Sequence, residues 1–179
     1  MFNNSEEAFR KLHDNLAETF RELPPIIGEE VVNFTIENFE SEGWQGDSFE
    51  AWPKRKNPNA WGKADDPDRA LLVKTAKLKR SIRISRIIDD AVYIHAGGAD
   101  VPYARAHNEG FSGAVTQNVK EHIRKSKTFK NIKVSAFQRT IQQNIPKRKF
   151  IGSAHESSQL RQRLLKVQLE HFRKKFKSL

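Results

Sequence analysis

Six histidines, at positions 13, 95, 107, 122, 155 and 171, are where acid–base or metal chemistry would first be sought in this chain. None belongs to an HExxH motif. The tripeptide His107-Asn108-Glu109 brings two candidate metal ligands together, but zinc sites take three or four protein ligands. The plainer role for His107 is to orient a loop. The sequence has no cysteine, which removes thiol catalysis, disulfide staples, iron–sulfur clusters and cysteine-ligated zinc. GxSxG, GxxxxGK[ST] and GxGxxG are all absent, so neither a nucleophile elbow nor a phosphate-cradling loop is present. The acid pairs Asp65-Asp66 and Asp89-Asp90 fall in turn-like stretches, where aspartate serves the backbone. The expectation is a protein with no catalytic residue, cofactor or metal.

Charge is the stronger signal. The 179 residues carry a net +10. Residues 1–50 hold 3 Lys and Arg against 12 Asp and Glu, and residues 51–179 hold 29 against 10. The two parts could neutralise each other within a chain, or between chains arranged head to tail. A third option is that the basic part faces nucleic acid. Residues 120–149 alone hold 10 Lys and Arg against 1 Glu, without any zinc-finger, RRM or zipper signature. No apolar run approaches the roughly 18 residues of a membrane helix, and the first residues lack a signal-peptide pattern. The expectation is a soluble, cytoplasmically made protein. Hydrophobic residues make up 37% and mean hydropathy is −0.72. That is lean for a globule, and points to a thin domain or one completed by neighbours.

The elements follow from periodicity. Phe9, Leu12, Leu16, Phe20 and Leu23 recur at helical spacing, with Ser5 as an N-cap. Pro24-Pro25 is expected to break or kink this helix. A second helical stretch, about 26–41, carries Ile27, Val31, Phe34 and Phe39. Residues 43–70 form a Trp-rich loop, in which Trp44, Phe49 and Trp52 pack onto the core; a sugar or base stacking platform is the alternative. Two strands, about 80–88 and 91–96, turn at Asp89-Asp90. A short helix opens at Pro102. Segments 119–124 and 132–141 form a second hairpin inside a basic arm, 114–144. Residues 145–152 run extended, and 154–177 form a closing helix. The predicted core comprises Phe9, Leu16, Phe20, Val31, Phe34, Ile82, Ile84, Val92, Ile94, Tyr103, Leu164 and Phe172. The fold class is α+β: one domain, 1–179, with an antiparallel sheet of about four strands between a long kinked N-terminal helix and a C-terminal helix.

The chain carries four short motifs, and residues in three of them have physical roles of their own. Thr75 can cap a turn through its hydroxyl. Tyr103 needs a partner for its own hydroxyl, and His107 sits one helical turn away. Gly110 suits the position after a helix end. Pro146 holds Ile145 extended, and Arg148 can fork onto a carboxylate or a carbonyl.

Their order resembles the phage virion morphogenesis family, the tail-completion proteins of Mu-like phages and prophages. It is also similar in plan to the wider group of siphophage neck and tail-completion proteins. The matching positions are Phe39, Gly43, Trp44 and Trp52; then Leu72, Thr75, Leu78 and Ser81. They continue with Tyr103, Ala104, His107 and Gly110, and end with Ile145, Pro146, Arg148, Phe150 and Gly152. The family pattern has Gly after the threonine, where this chain has Ala76. It also has a second Pro where this chain has Lys149.

The resemblance implies a structural role in tail completion or head–tail joining. It implies a homo-oligomeric ring in the assembled particle, with tail-tube and head–tail connector proteins as partners and no membrane. The protein would act in the host cytoplasm during assembly and then reside at the virion tail or head–tail junction. Partner contacts are expected from the basic arm, at Lys120, Arg124, Lys125, Lys127, Lys130, Lys133 and Arg139. Non-specific DNA binding through 120–149 is the alternative.

Overall fold

The computed structural model describes residues 3–55, 66, 68–88, 91–125 and 131–177. The Asp89-Asp90 turn, Lys127 and Lys130 lie outside the described residues. The longest element is helix α1, Asn3–Glu40. It runs unbroken through Pro24-Pro25 and begins ahead of Ser5, against the expected break and N-cap. Two prolines remove two N–H donors from the helical ladder, yet tertiary packing holds both halves. Helix α4, Ser158–Phe176, lies along α1 on both sides of the prolines. Arg163 pairs with Glu30 at 2.6 Å and with Glu37, while Lys175 reaches Glu22 at 2.9 Å and Glu18 at 3.6 Å. Phe20 meets Phe172 edge-on at 5.5 Å. Part of the acidic N-terminal charge is therefore matched by the chain's own C-terminal helix.

Helix and strand mix as the α+β reading expects, but the strands pair two by two. Among the described residues there are four two-stranded antiparallel ribbons. The Trp-rich segment contains the first, β1 Gly43–Gln45 with β2 Phe49–Ala51. After the single-turn helix α2, Lys77–Arg80, β3 Arg83–Ile88 pairs with β4 Ala91–His95 and packs on α1. Helix α3, Ala104–Glu109, precedes β5 Phe111–Val119. This strand pairs with β8 Phe137–Ile145 over nine residues, from Phe111 opposite Ile145 to Val119 opposite Phe137. Further out, β6 His122–Arg124 pairs with β7 Ile132–Val134. The expected pairing of 119–124 with 132–141 is present, Val119 opposite Phe137 and His122 opposite Val134, as the outer part of a longer ribbon. The ribbon starts at Phe111 because the β5 and β8 alternation stays in phase for all nine pairs.

Two aromatic clusters hold the body together. Phe39, Trp52, Leu71, Leu78, Ile82, Val101, Ala104 and Phe150 form one, and Phe34, Trp44 and Leu160 the other. Phe39 lies perpendicular to Trp52 at 5.4 Å, and Phe34 is nearly perpendicular to Trp44 at 5.8 Å, the edge-to-face geometry aromatic quadrupoles favour. Thr19 and Thr35, fully buried on α1, donate to the carbonyls of Asn15 and Val31 one turn back. Of the predicted core, Phe34 and Ile82 are buried; Leu16, Val31, Ile84, Val92, Ile94, Leu164 and Phe172 are half-buried. Phe9, Phe20 and Tyr103 are exposed, at 71%, 60% and 38%. Phe9 is exposed because α1 runs beyond the body: every residue from 5 to 14 is exposed. Phe49 is exposed as well, so Trp44 and Trp52 alone of the three aromatics anchor their segment.

Candidate assembly interface

Several motif residues lie in one extended strip, residues 146–152, which is hydrogen-bonded to α1, to α3 and to Trp52. Trp52 Nε1 donates to the Lys149 carbonyl at 2.7 Å. Asn38 Nδ2, wholly buried on α1, donates to the Phe150 carbonyl at 3.1 Å, and its Oδ1 accepts from the Gln45 N–H. Asn108 Oδ1 accepts from the N–H groups of both Phe150 and Ile151. The Arg148 N–H donates to the His107 carbonyl at 2.7 Å. Such satisfaction is what a buried non-helical, non-sheet segment requires.

Arg148 is 8% exposed. Its Nε and Nη2 both donate to the Pro53 carbonyl, at 2.9 and 2.7 Å. This is the fork onto a carbonyl expected from sequence. Burial, then the nearby Arg55 charge, depresses its pKa, and Glu42 opposes them. Lys149 lies 4.7 Å from the centre of the Trp44 ring and 2.5 Å from Glu156 Oε1. The Lys149 bond, followed by the Ser153 backbone N–H, pulls the Glu156 carboxyl down to about 2. Gly152 sits where a Cβ would come within 2.9 Å of Trp44, Lys149 and Glu156. A side chain there would force the strip off the tryptophan.

The other motif positions support this strip. Leu78 is buried at 1%. Ser81 Oγ donates to the Leu78 carbonyl and accepts from the Gly97 N–H at 2.8 Å. The turn-capping role expected of Thr75 therefore falls to Ser81; at Thr75 the carbonyl accepts from Arg80. Tyr103 and His107 meet edge-on at 5.7 Å, through their rings rather than by the expected hydroxyl bond. His107 Nδ1 is buried without a hydrogen-bond partner. Burial first, and the Arg148 charge second, lowers the pKa of this ring. Glu109 is bound to Arg105 at 2.8 Å, and among the described residues no three metal-ligating side chains come together. Gly110, with φ 80° and ψ 161°, makes the sharp exit from α3 into β5 that a side chain would resist. Exposed Pro146 marks the return from β8.

Gly110 and Pro146 thus flank the root of the β5–β8 ribbon, which leaves the body as an arm. Directly opposed residues share a face. One face carries the apolar pairs Phe111 with Ile145, Val115 with Ile141, and Val119 with Phe137, separated by Gly113 with Gln143 and Gln117 with Arg139. The other carries Ser112 with Asn144, Ala114 with Gln142, Thr116 with Thr140 and Asn118 with Gln138. Among the described residues no other helix or strand packs extensively along this ribbon. Lys120, Arg124 and Lys125 are exposed toward its tip. Lys133 pairs with Glu121 at 3.3 Å, and Arg139 donates twice to Gln117.

Sequence reasoning missed Asn38, Asn108 and Ser157, the polar residues that stitch the strip together. Ser157 caps α4 by accepting from the Leu160 N–H, and donates to the Gln45 carbonyl. Ser153 and Glu156 form a capping box one turn earlier, and their S-x-x-E spacing was a readable signal. Asn38 and Asn108 offered none.

A model of the phage virion morphogenesis family matches residues 2–170 of the chain. The chain belongs to this family. No curated protein and no solved structure matches it. Family membership makes the role structural, in building the virion. Among the described residues no helix is long and apolar enough to cross a membrane.

Proposed function

We propose that this virion morphogenesis protein completes the phage tail, or its junction with the head, as a ring of copies in which the arm makes the contacts. One observation carries this reading. The β5–β8 ribbon presents six apolar side chains on one face, and among the described residues no other helix or strand packs extensively along them. A two-stranded ribbon is marginal in water unless its apolar face packs on something. Tail-tube and head–tail connector proteins are the expected neighbours of such a ring. The reading is non-catalytic, and places the chain in the host cytoplasm during assembly and in the virion afterwards. Mass measurement in solution, with and without co-expressed tail-tube and connector proteins, tests it. A defined oligomer, alone or with those proteins, is the expected result; a chain that stays monomeric with all of them contradicts it.

The exposed Lys120, Arg124 and Lys125 favour a second reading, non-specific contact with the DNA backbone. Affinity for duplex DNA that falls steeply with salt, and is lost when these three become glutamine, would support it.

A further inference from the structure

Among the described residues, two apolar surfaces have no other helix or strand of the chain packed extensively over them. The first is the arm face, whose three apolar pairs recur every four residues, about 13 Å apart along a strand. The second is the first three turns of α1. There the stripe that buries Leu23 and Phe34 deeper in the body continues outward, with Phe9 at 71% and Leu12 at 40% exposure. α4 does not cover this overhang, since its outermost ion pair to α1 is at Glu18.

We infer that the overhanging end of α1 from one copy packs across the apolar arm face of the next copy. The inference rests on the ring reading above and names its contact. Three features favour a second copy over any other occupant. The two surfaces are complementary in kind, an apolar helix stripe and an apolar sheet face, which is the ordinary way two layers close a core. They come from segments of opposite charge: residues 5–20 hold 2 basic against 4 acidic side chains, and the arm, 111–145, holds 7 against 1. Finally, they are different surfaces of one chain, so the contact is heterologous and each copy retains a free surface of each kind until a ring closes. The exposed turns, residues 5–14, span about 14 Å, the spacing of two neighbouring apolar pairs.

The absence of native cysteine makes the test clean. Phe9→Cys and Ile141→Cys are prepared as separate, differently tagged proteins, each checked for an unchanged melting midpoint, and mixed under mild oxidant. The expected product is a disulfide-linked dimer carrying both tags, at least tenfold more abundant than either like-with-like dimer. If the wild-type chain oligomerises but the mixed product is no more abundant than the like-with-like dimers, this contact is wrong and the ring reading stands. If the chain stays monomeric at every concentration, the contact is overturned, and the copy number in purified particles decides the ring reading separately. A photo-crosslinker at Ile141 that joins a different virion protein in particles also overturns it.

Discussion

The guanidinium of Arg148 donates twice to a single carbonyl oxygen, that of Pro53, across 95 residues of sequence. This bond ties the root of the arm to the Trp-rich segment. Lysine cannot reproduce the two parallel donors. Arg148→Lys is therefore expected to cost about 1–3 kcal/mol, from a buried carbonyl left poorly satisfied. Urea unfolding of the two proteins measures it.

Ala76 holds φ 53° and ψ 6°, in the left-handed region, just before α2. A side chain in that region is strained and glycine is not. The glycine of the family pattern at this position has its physical reason here. Ala76→Gly is expected to raise stability by about 1 kcal/mol, against the usual cost of adding a glycine. A lower unfolding midpoint would show that the turn tolerates alanine without strain.

Phe34 and Phe9 lie on the same helix, and the structure separates their consequences. Phe34 is 1% exposed between Trp44 and Leu160, so Phe34→Ala is expected to cost about 3–5 kcal/mol. Phe9→Ala, on the overhang, is expected to leave monomer stability within about 0.5 kcal/mol. Thermal unfolding of both variants checks the pair.

Acid sensitivity should come in two steps. The folded state holds His107 neutral, with its pKa below the ordinary value because of burial and then Arg148. The unfolded chain takes up the proton first, so stability is full above about pH 6.5 and declines as pH falls below it. Glu156 behaves as a depressed carboxylate: its contribution is present above 4.5 and lost as pH falls toward about 2. His107→Gln should flatten the decline between about pH 7 and 5 and leave the lower step intact. An unchanged profile in chemical denaturation across that range would remove His107 from the account.

Much of this was legible because periodicity and capping are local. The helix faces, the β3–β4 pair and the Arg148 fork could be read from neighbouring residues. Pro24-Pro25 does not break α1 because the forces that keep the helix whole come from Arg163, Phe172 and Lys175, some 140 residues away in sequence. Phe9 misled because a stripe shows which face of a helix is apolar, and not where the body beneath it ends. The ribbon's true extent required the pairing partner, since Phe111–Val119 gains its strand character from register with Phe137–Ile145. Asn38 and Asn108 matter through bonds made by single side chains to distant backbone, which no spacing reveals.

The central claim is that the arm exists for contacts outside its own chain. Ser112 and Asn144 lie directly opposite each other near its root, so residues 113–143 can be replaced by Asn-Gly, which closes a two-residue hairpin. The decisive measurement is incorporation of this shortened chain into phage particles in place of the wild type, alongside its melting midpoint. The account predicts a folded protein with a nearly unchanged midpoint that fails to enter particles. A shortened chain that builds infectious particles as the wild type does would contradict it, as would one that no longer folds.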